Sequence, residues 1–213
     1  EMLCLCAISL EGLLGANWPA LRPWGLVRIG FMVAMLSWGA RSAWEEAHTR
    51  RSNVDLIAAV LEQKAATGDL IVVQGAWEGI TFNRYYHGRV RWMTVPPIES
   101  HAVHRSDLML EQMSQQDSMA PVLREITDTL RSSNSVWIVG NMLIMRPEQL
   151  LSPSALPIKR WGPYINYWSA QVTAQLQDHA LQEQALEMPA DGLVNRLENL
   201  PVRRFSGYKS NRN

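Results

Sequence analysis

The chain has 213 residues, and its 20 basic and 20 acidic side chains give a formal net charge of zero at pH 7. This balance argues against nucleic acid as the main partner, because binding to a phosphate backbone needs a surplus of basic residues. The length allows one domain with an appendage. The chain begins at Glu1, inside an apolar run, so we expect it to be the C-terminal part of a larger protein.

The first apolar run extends from Met2 to Leu14 and contains both cysteines, Cys4 and Cys6. Two residues apart on a helix, these thiols point in different directions and do not readily form a disulfide. Two thiolates alone would also leave a zinc site incomplete. We therefore interpret the run as the end of a truncated membrane helix, which Pro19 and the residues around it terminate.

A second apolar run covers residues 24 to 44. Its uncharged centre, residues 29 to 40, is too short by itself to cross about 30 Å of hydrocarbon. Arg28 and Arg41 lie near its two ends, where long side chains can reach the headgroups. We predict that residues 1 to 46 form membrane helices, as a single helix or a hairpin, with the lipid bilayer as partner.

Two other interpretations of this N-terminal region are a signal peptide and a buried hairpin. A signal peptide would begin with basic residues, whereas this region carries Glu1 and Glu11 and has no clear cleavage site before a polar domain. An amphipathic hairpin buried in a soluble protein remains the open alternative.

Residues 47 to 213 have the composition of a soluble domain. A helix pattern begins at Asn53, a good N-cap residue, and a turn then leads into the apolar strand Leu70–Gln74. The same order recurs in a helix from Pro121 to Arg131 and the strand Val136–Gly140. Strands that are apolar on both faces usually lie inside parallel sheets. The repeat therefore predicts an α/β fold, a small Rossmann-like layered domain with a mainly parallel sheet.

Three further elements complete the predicted domain. The segment Val90–Val95 reads as a shorter strand that ends before two prolines. A long amphipathic helix is predicted from Trp161 to Leu186, and a last short strand from Val202 to Phe205.

The residues after the first predicted strand form the leading candidate for a ligand site. Trp77, Glu78, Arg84 and His87 all follow Leu70–Gln74, and ligands of open α/β sheets bind beyond the carboxyl ends of the strands. Arg84 can form paired hydrogen bonds with a phosphate or carboxylate. Trp77 can stack on a sugar ring, and Glu78 can accept hydrogen bonds from its hydroxyls. The alternative is structural, with Glu78 paired to Arg84 and the neighbouring aromatic residues packed onto the sheet.

A second candidate cluster contains His101, His104, Arg105 and Asp107. His-x-x-His can place two imidazoles on one helical face, and a third ligand would complete a zinc site. Because two prolines precede the cluster, an irregular loop is the favoured interpretation, and we predict no metal site. A small hydrolase-like enzyme that uses this cluster is one functional hypothesis.

The chain carries no standard catalytic or cofactor-binding motif. It has no Gly-x-Ser-x-Gly, no Gly-x-x-x-x-Gly-Lys and no Asp-x-Asp, and Gly75 and Gly79 stand alone after the first strand without completing Gly-x-Gly-x-x-Gly. We therefore predict no cofactor, because a layered α/β shape by itself does not imply a dinucleotide.

The order of segments resembles a known family. A membrane tail is followed by RSNVDLIAAVLEQKAATGDLIVV, ITFNRYYHG, RWMTVPPIESHAVHRSD, VWIVG and YINYWSAQVTAQLQDHA. This order is similar to the C-terminal domain of bacterial polytopic glycosyltransferases related to the dolichyl-phosphate-mannose protein mannosyltransferases, in the glycosyltransferase C superfamily. The resemblance covers residues 24 to 208 and rests on segment order, since no catalytic signature is shared.

The resemblance implies a location and a role. The parent enzyme would move a sugar from a polyprenyl-phosphate carrier to an acceptor outside the bacterial inner membrane. Its catalytic residues would lie upstream of this chain, which would be an accessory extracytoplasmic domain without the catalytic centre. The implied partners are the bilayer, the upstream membrane domain of the same parent chain and the polyprenyl-phosphate-linked sugar. A membrane-anchored binding or assembly domain without catalysis is the alternative.

Overall fold

The computed structural model describes residues 23–150, 152, 160–188, 194 and 199–210. The first apolar run, from Met2 to Leu14, with Cys4 and Cys6, lies outside the described residues, so the interpretation of that run stays a prediction.

The chain divides into two compact units, of which the first ends at Arg50 and the second begins at Arg51. In the first unit, helix α1 spans Pro23–His48 and includes the whole predicted run of residues 24 to 44. Phe31 and Leu36 on this helix are exposed. Among the described residues, no helix combines the length and the apolar character that crossing a bilayer requires.

The second unit is an α/β domain, which confirms that part of the predicted fold, whereas the predicted membrane helix stays a prediction. Its helices are α2 (Val54–Lys64), α3 (Ala76–Tyr85), α4 (Ser106–Ser114), α5 (Ala120–Arg131) and α6 (Trp161–His179). Its strands are β1 (Leu70–Gln74), β2 (Arg91–Val95), β3 (Val136–Val139), β4 (Ala180–Leu186) and β5 (Val202–Tyr208).

The five strands form one sheet in the order β2-β1-β3-β5-β4. Strands β1, β2 and β3 are parallel, with Val72 of β1 opposite Met93 of β2 and Ile138 of β3. Strand β5 is antiparallel to both β3 and β4. The prediction that Leu70–Gln74 and the strand from Val136 are parallel strands of one sheet is therefore confirmed.

Helices cover both faces of the sheet, because alternate residues of each buried strand point to opposite sides. Leu70 and Val72 of β1 face a core formed with α4, α5 and α6. Ile71 and Val73 face a second core formed with α2 and α3. This arrangement explains why β1 is buried along its whole length, and why its sequence is a continuous apolar run.

The predicted helix from Trp161 to Leu186 is wrong in its last turns. Helix α6 ends at His179, and β4 begins at Ala180. The sequence of β4, ALQEQAL, is rich in residues that favour helices, but such preferences amount to a few tenths of a kcal/mol per residue. Pairing with β5, from Ala180 opposite Tyr208 to Leu186 opposite Val202, outweighs them.

Asn53 has a different role from the predicted helix cap. Its side chain caps no helical N–H, and the hydroxyl of Ser52 instead accepts a hydrogen bond from the Val54 N–H at 3.1 Å. The buried Asn53 amide donates to the Leu200 carbonyl and accepts from the Leu200 N–H, each at 2.9 Å. Asn53 therefore fixes the segment before β5 to the start of α2.

A buried carboxylate joins the amino ends of β1 and β3. Asp69 accepts hydrogen bonds from the backbone N–H of Ser135 and from the indole Nε1–H of Trp137, both at 2.8 Å. It also accepts from the backbone N–H of Ala66 at 3.0 Å. Because Asp69 is 3% exposed, these three donors replace the water that the carboxylate loses on folding.

Candidate functional site

A shallow hollow lies beyond the carboxyl ends of β1 and β2. Trp77, which follows β1, and Ile98, which follows β2, line it, together with His104 and Arg105 from the loop before α4 and Trp161 from the start of α6. The enclosed volume of the hollow is about 30 Å³, and the rest of the space between these residues is open to solvent. In open parallel sheets the connecting chains diverge at this edge and leave room for ligands.

The first turns of three helices contribute to the lining. Ala76 and Trp77 belong to the first turn of α3, Ser106 begins α4 and Trp161 begins α6. The N-terminus of a helix carries a partial positive charge of roughly half a unit. Arg105 also lines the hollow, and its charge is partly offset by Asp107, as that of the α3 terminus is by Glu78. The remaining positive character still favours an anion.

Arg105 is held in place by Asp107. The Arg105 Nε–H donates to Asp107 Oδ1 at 2.9 Å, and Nη2–H donates to Oδ2 at 2.6 Å. A guanidinium has five N–H donors in a planar fork, so this pairing leaves capacity for a second anion. Asp107 thus orients Arg105 and also neutralises part of its charge.

The pairing predicts a pH dependence. In the folded chain Arg105 donates hydrogen bonds to Asp107 and thereby lowers the pKa of this carboxyl from 3.8 to about 2. Because the folded pKa is the lower one, the stabilisation is complete above pH 3.8 and is lost as the pH falls through about 2. We expect the Asp107 carboxyl carbon to titrate near pH 2 by NMR, and at a higher pH in Arg105→Ala, because the largest cause of the lowered pKa is then lost. A midpoint of 3.8 in the unmodified chain would contradict the pairing.

Glu78 lies at the start of its own helix. It belongs to the first turn of α3, and a Cβ placed on Gly75 would be 1.9 Å from Glu78 Oε2. Gly75 also has a φ of 109°, a conformation that side chains disfavour, so glycine is needed here on both grounds. The Glu78 carboxylate therefore lies where it interacts favourably with the helix dipole, and Glu78 is not among the residues that line the hollow.

Arg84 and His87 lie at the opposite end of α3. Arg84 is exposed, and its guanidinium lies 6.0 Å from the ring centroid of Tyr85. The backbone N–H of His87 donates to Glu62 at 2.5 Å. Of the four residues predicted after β1, Trp77 alone is among those that line the hollow.

The second predicted cluster is divided between two environments. His104 lines the hollow, whereas the ring of His101 lies 4.6 Å from that of Trp92 and close to Gly79. A Cβ on Gly79 would lie 2.7 Å from His101 Cδ2, so glycine permits this contact.

The hydrogen bonds of Thr94 fix the tautomer of His101. The Thr94 hydroxyl donates to the Pro96 carbonyl at 2.7 Å and lies 3.1 Å from His101 Nε2. Because its proton is already donated, the hydroxyl accepts from Nε2–H. Burial lowers the pKa of His101, which favours this neutral form.

Neither catalysis nor metal binding is evident in this cluster. Asp107 contacts Arg105 and does not orient an imidazole, as a hydrolase would require. In the part of the chain that the structure describes, no group of three or more His, Cys, Asp or Glu side chains could hold a metal ion.

Sequence reasoning missed Trp161 and treated the two clusters as separate sites. Trp77 and His104 were assigned to different candidates, yet both line one hollow. That the two clusters lie close together was predictable in principle, because the carboxyl ends of neighbouring parallel strands share one edge of a sheet. Trp161 was not identifiable in this way, since its position depends on how α6 packs.

Comparison of the chain with protein-family models, curated proteins and solved structures found no match.

Proposed function

We propose that the α/β domain is an accessory binding domain whose hollow holds the anionic group of a ligand, a phosphate or a carboxylate. The observation that carries this proposal is the position of Arg105 beside the first turns of three helices. These groups place positive charge on one accessible surface. The described lining residues include no paired nucleophile and base, so the proposed role is binding without catalysis.

The parent protein that we propose is a bacterial membrane glycosyltransferase, with this domain outside the cytoplasm. Support comes from the order of segments along the chain. In that context the catalytic residues and the site of the polyprenyl-phosphate-linked sugar would belong to the upstream membrane domain, and the hollow would hold the anionic group of another ligand. The bilayer would be the partner of α1, whose exposed Phe31, Val33, Leu36 and Trp38 favour contact with an apolar environment.

Phosphate binding to the full chain tests the role of the hollow. We expect titration calorimetry with inorganic phosphate, at constant ionic strength, to detect binding that Arg105→Ala weakens about tenfold or more, because a charge-assisted hydrogen bond is lost. Arg84→Ala is the matched control, since it removes an exposed arginine that does not line the hollow. Equal effects of the two variants, or no binding by the unmodified chain, would contradict the proposal.

Flotation with vesicles tests the membrane part of the proposal. We expect the full chain to float with vesicles of phosphatidylethanolamine and phosphatidylglycerol. Replacing Phe31, Leu36 and Trp38 with serine should release it, because these exposed side chains would lose their apolar contact area.

The matched control replaces three exposed apolar residues of the α/β unit, Leu110, Ile144 and Leu181, with serine. This variant should float as the unmodified chain does. Release of both triple variants to the same extent would show that α1 has no special role in lipid binding.

A further inference from the structure

Two indole rings are among the groups that line the hollow. Trp77 at the start of α3 and Trp161 at the start of α6 both line it. Their ring planes differ by 10°, and their centroids are 6.4 Å apart. Trp161 is 39% exposed and Trp77 is partly buried, so the pair offers accessible flat apolar surface on which another ring can stack.

The polar lining is poorly suited to a sugar. The described residues that line the hollow supply two hydroxyls, from Ser100 and Ser106, with the cationic Arg105 and the imidazole of His104. No Asp, Glu, Asn or Gln is among these lining residues. A sugar ring carries several hydroxyls, and each one buried without a partner costs free energy. The lining therefore favours a ring with few hydroxyls.

We infer that the hollow binds a planar aromatic ring that carries an acidic group. The ring stacks on Trp77 and Trp161, and the acidic group faces Arg105. This inference rests on the proposed anion site and goes beyond it, because it specifies the remainder of the ligand. Stacking suits an aromatic ring better than a flexible alkyl chain, since both partners are flat and rigid.

Four monophosphates separate the contributions to binding. The affinity of the full chain is measured for phenyl phosphate, butyl phosphate, glucose 1-phosphate and inorganic phosphate at constant ionic strength. We expect phenyl phosphate to bind about tenfold more tightly than inorganic phosphate, which is within the range for stacking on an aromatic side chain. The affinities for butyl phosphate and glucose 1-phosphate should each exceed that for inorganic phosphate by less than this factor.

Substitution of Trp161 tests the indole pair itself. Trp161→Ala should lower the affinity for phenyl phosphate more than that for inorganic phosphate, and so remove the preference for phenyl phosphate. Trp161→Phe should retain most of the preference, because a flat ring remains. Trp44→Ala is the matched control, since Trp44 is an exposed tryptophan of α1 and should not affect either affinity.

Each of the other possible outcomes contradicts a particular part of the inference. Binding of glucose 1-phosphate as tight as that of phenyl phosphate would overturn the aromatic class of the ligand, and equal binding of butyl phosphate would overturn stacking. If all four phosphates bind equally, the ring inference fails and the anion site stands. If none binds, the anion site and the proposed function both fail.

Discussion

Asp69→Ala is expected to lower the free energy of unfolding by roughly 2 to 6 kcal/mol, because three N–H groups lose the carboxylate that satisfies them. These donors belong to Ala66, Ser135 and Trp137. The two buried donors, of Ser135 and Trp137, then cost about 1–3 kcal/mol each, whereas Ala66 is exposed to water. Urea denaturation of the full chain measures the loss.

Two further variants make the Asp69 prediction specific. Asp69→Asn keeps the size of the side chain but replaces one acceptor oxygen with a donor, so its loss should be intermediate. Asp128→Ala removes an exposed carboxylate that pairs with Arg131, and it should change stability little. A loss below about 1 kcal/mol for Asp69→Ala would show that the three hydrogen bonds do not connect β1 to β3 in solution.

Phe82→Ala is expected to destabilise the fold by about 3–5 kcal/mol, the usual loss for truncation of a fully buried phenylalanine. Phe82 is 0% exposed, and its ring lies 4.8 Å from that of Tyr86 and 5.2 Å from that of Trp92. Removal of the ring would leave a cavity in the core between the sheet and helices α2 and α3. Chemical denaturation again gives the measurement.

Tyr85→Ala provides the matched control for Phe82. Tyr85 lies on the same helix but is 45% exposed, so its truncation should change stability by about 0.5 kcal/mol or less. Similar losses for Tyr85→Ala and Phe82→Ala would contradict the orientation of α3 on the sheet.

The sheet was predictable because strands that are buried on both faces have apolar sequences. LIVVQ and VWIV are apolar on both faces, and such strands usually belong to the interior of a parallel sheet. The boundary between α6 and β4 was not predictable, because it depends on pairing with β5, a strand some distance along the chain. A local pattern of helix-favouring residues contains no information about that partner.

The candidate site was predictable in part for a related reason. The rule that ligands bind beyond strand ends correctly located Trp77 at the carboxyl edge of the sheet. The same rule did not distinguish Trp77 from Glu78 or Arg84. The Glu78 carboxylate lies close to Gly75, and Arg84 lies at the far end of the helix. These differences depend on side-chain direction around α3, which the sequence spacing left open.

The most direct test of the account follows the indole N–H signals of the nine tryptophans by NMR while phosphate is added to the full chain at constant ionic strength. Tryptophan-to-phenylalanine variants assign the signals. If the hollow binds the anion, the signals of Trp77 and Trp161 shift with a common saturation curve, and those of Trp38 and Trp44 on α1 stay in place. Saturable shifts confined to other tryptophans, or no saturable shift of any signal, would contradict the central claim that this hollow is an anion site.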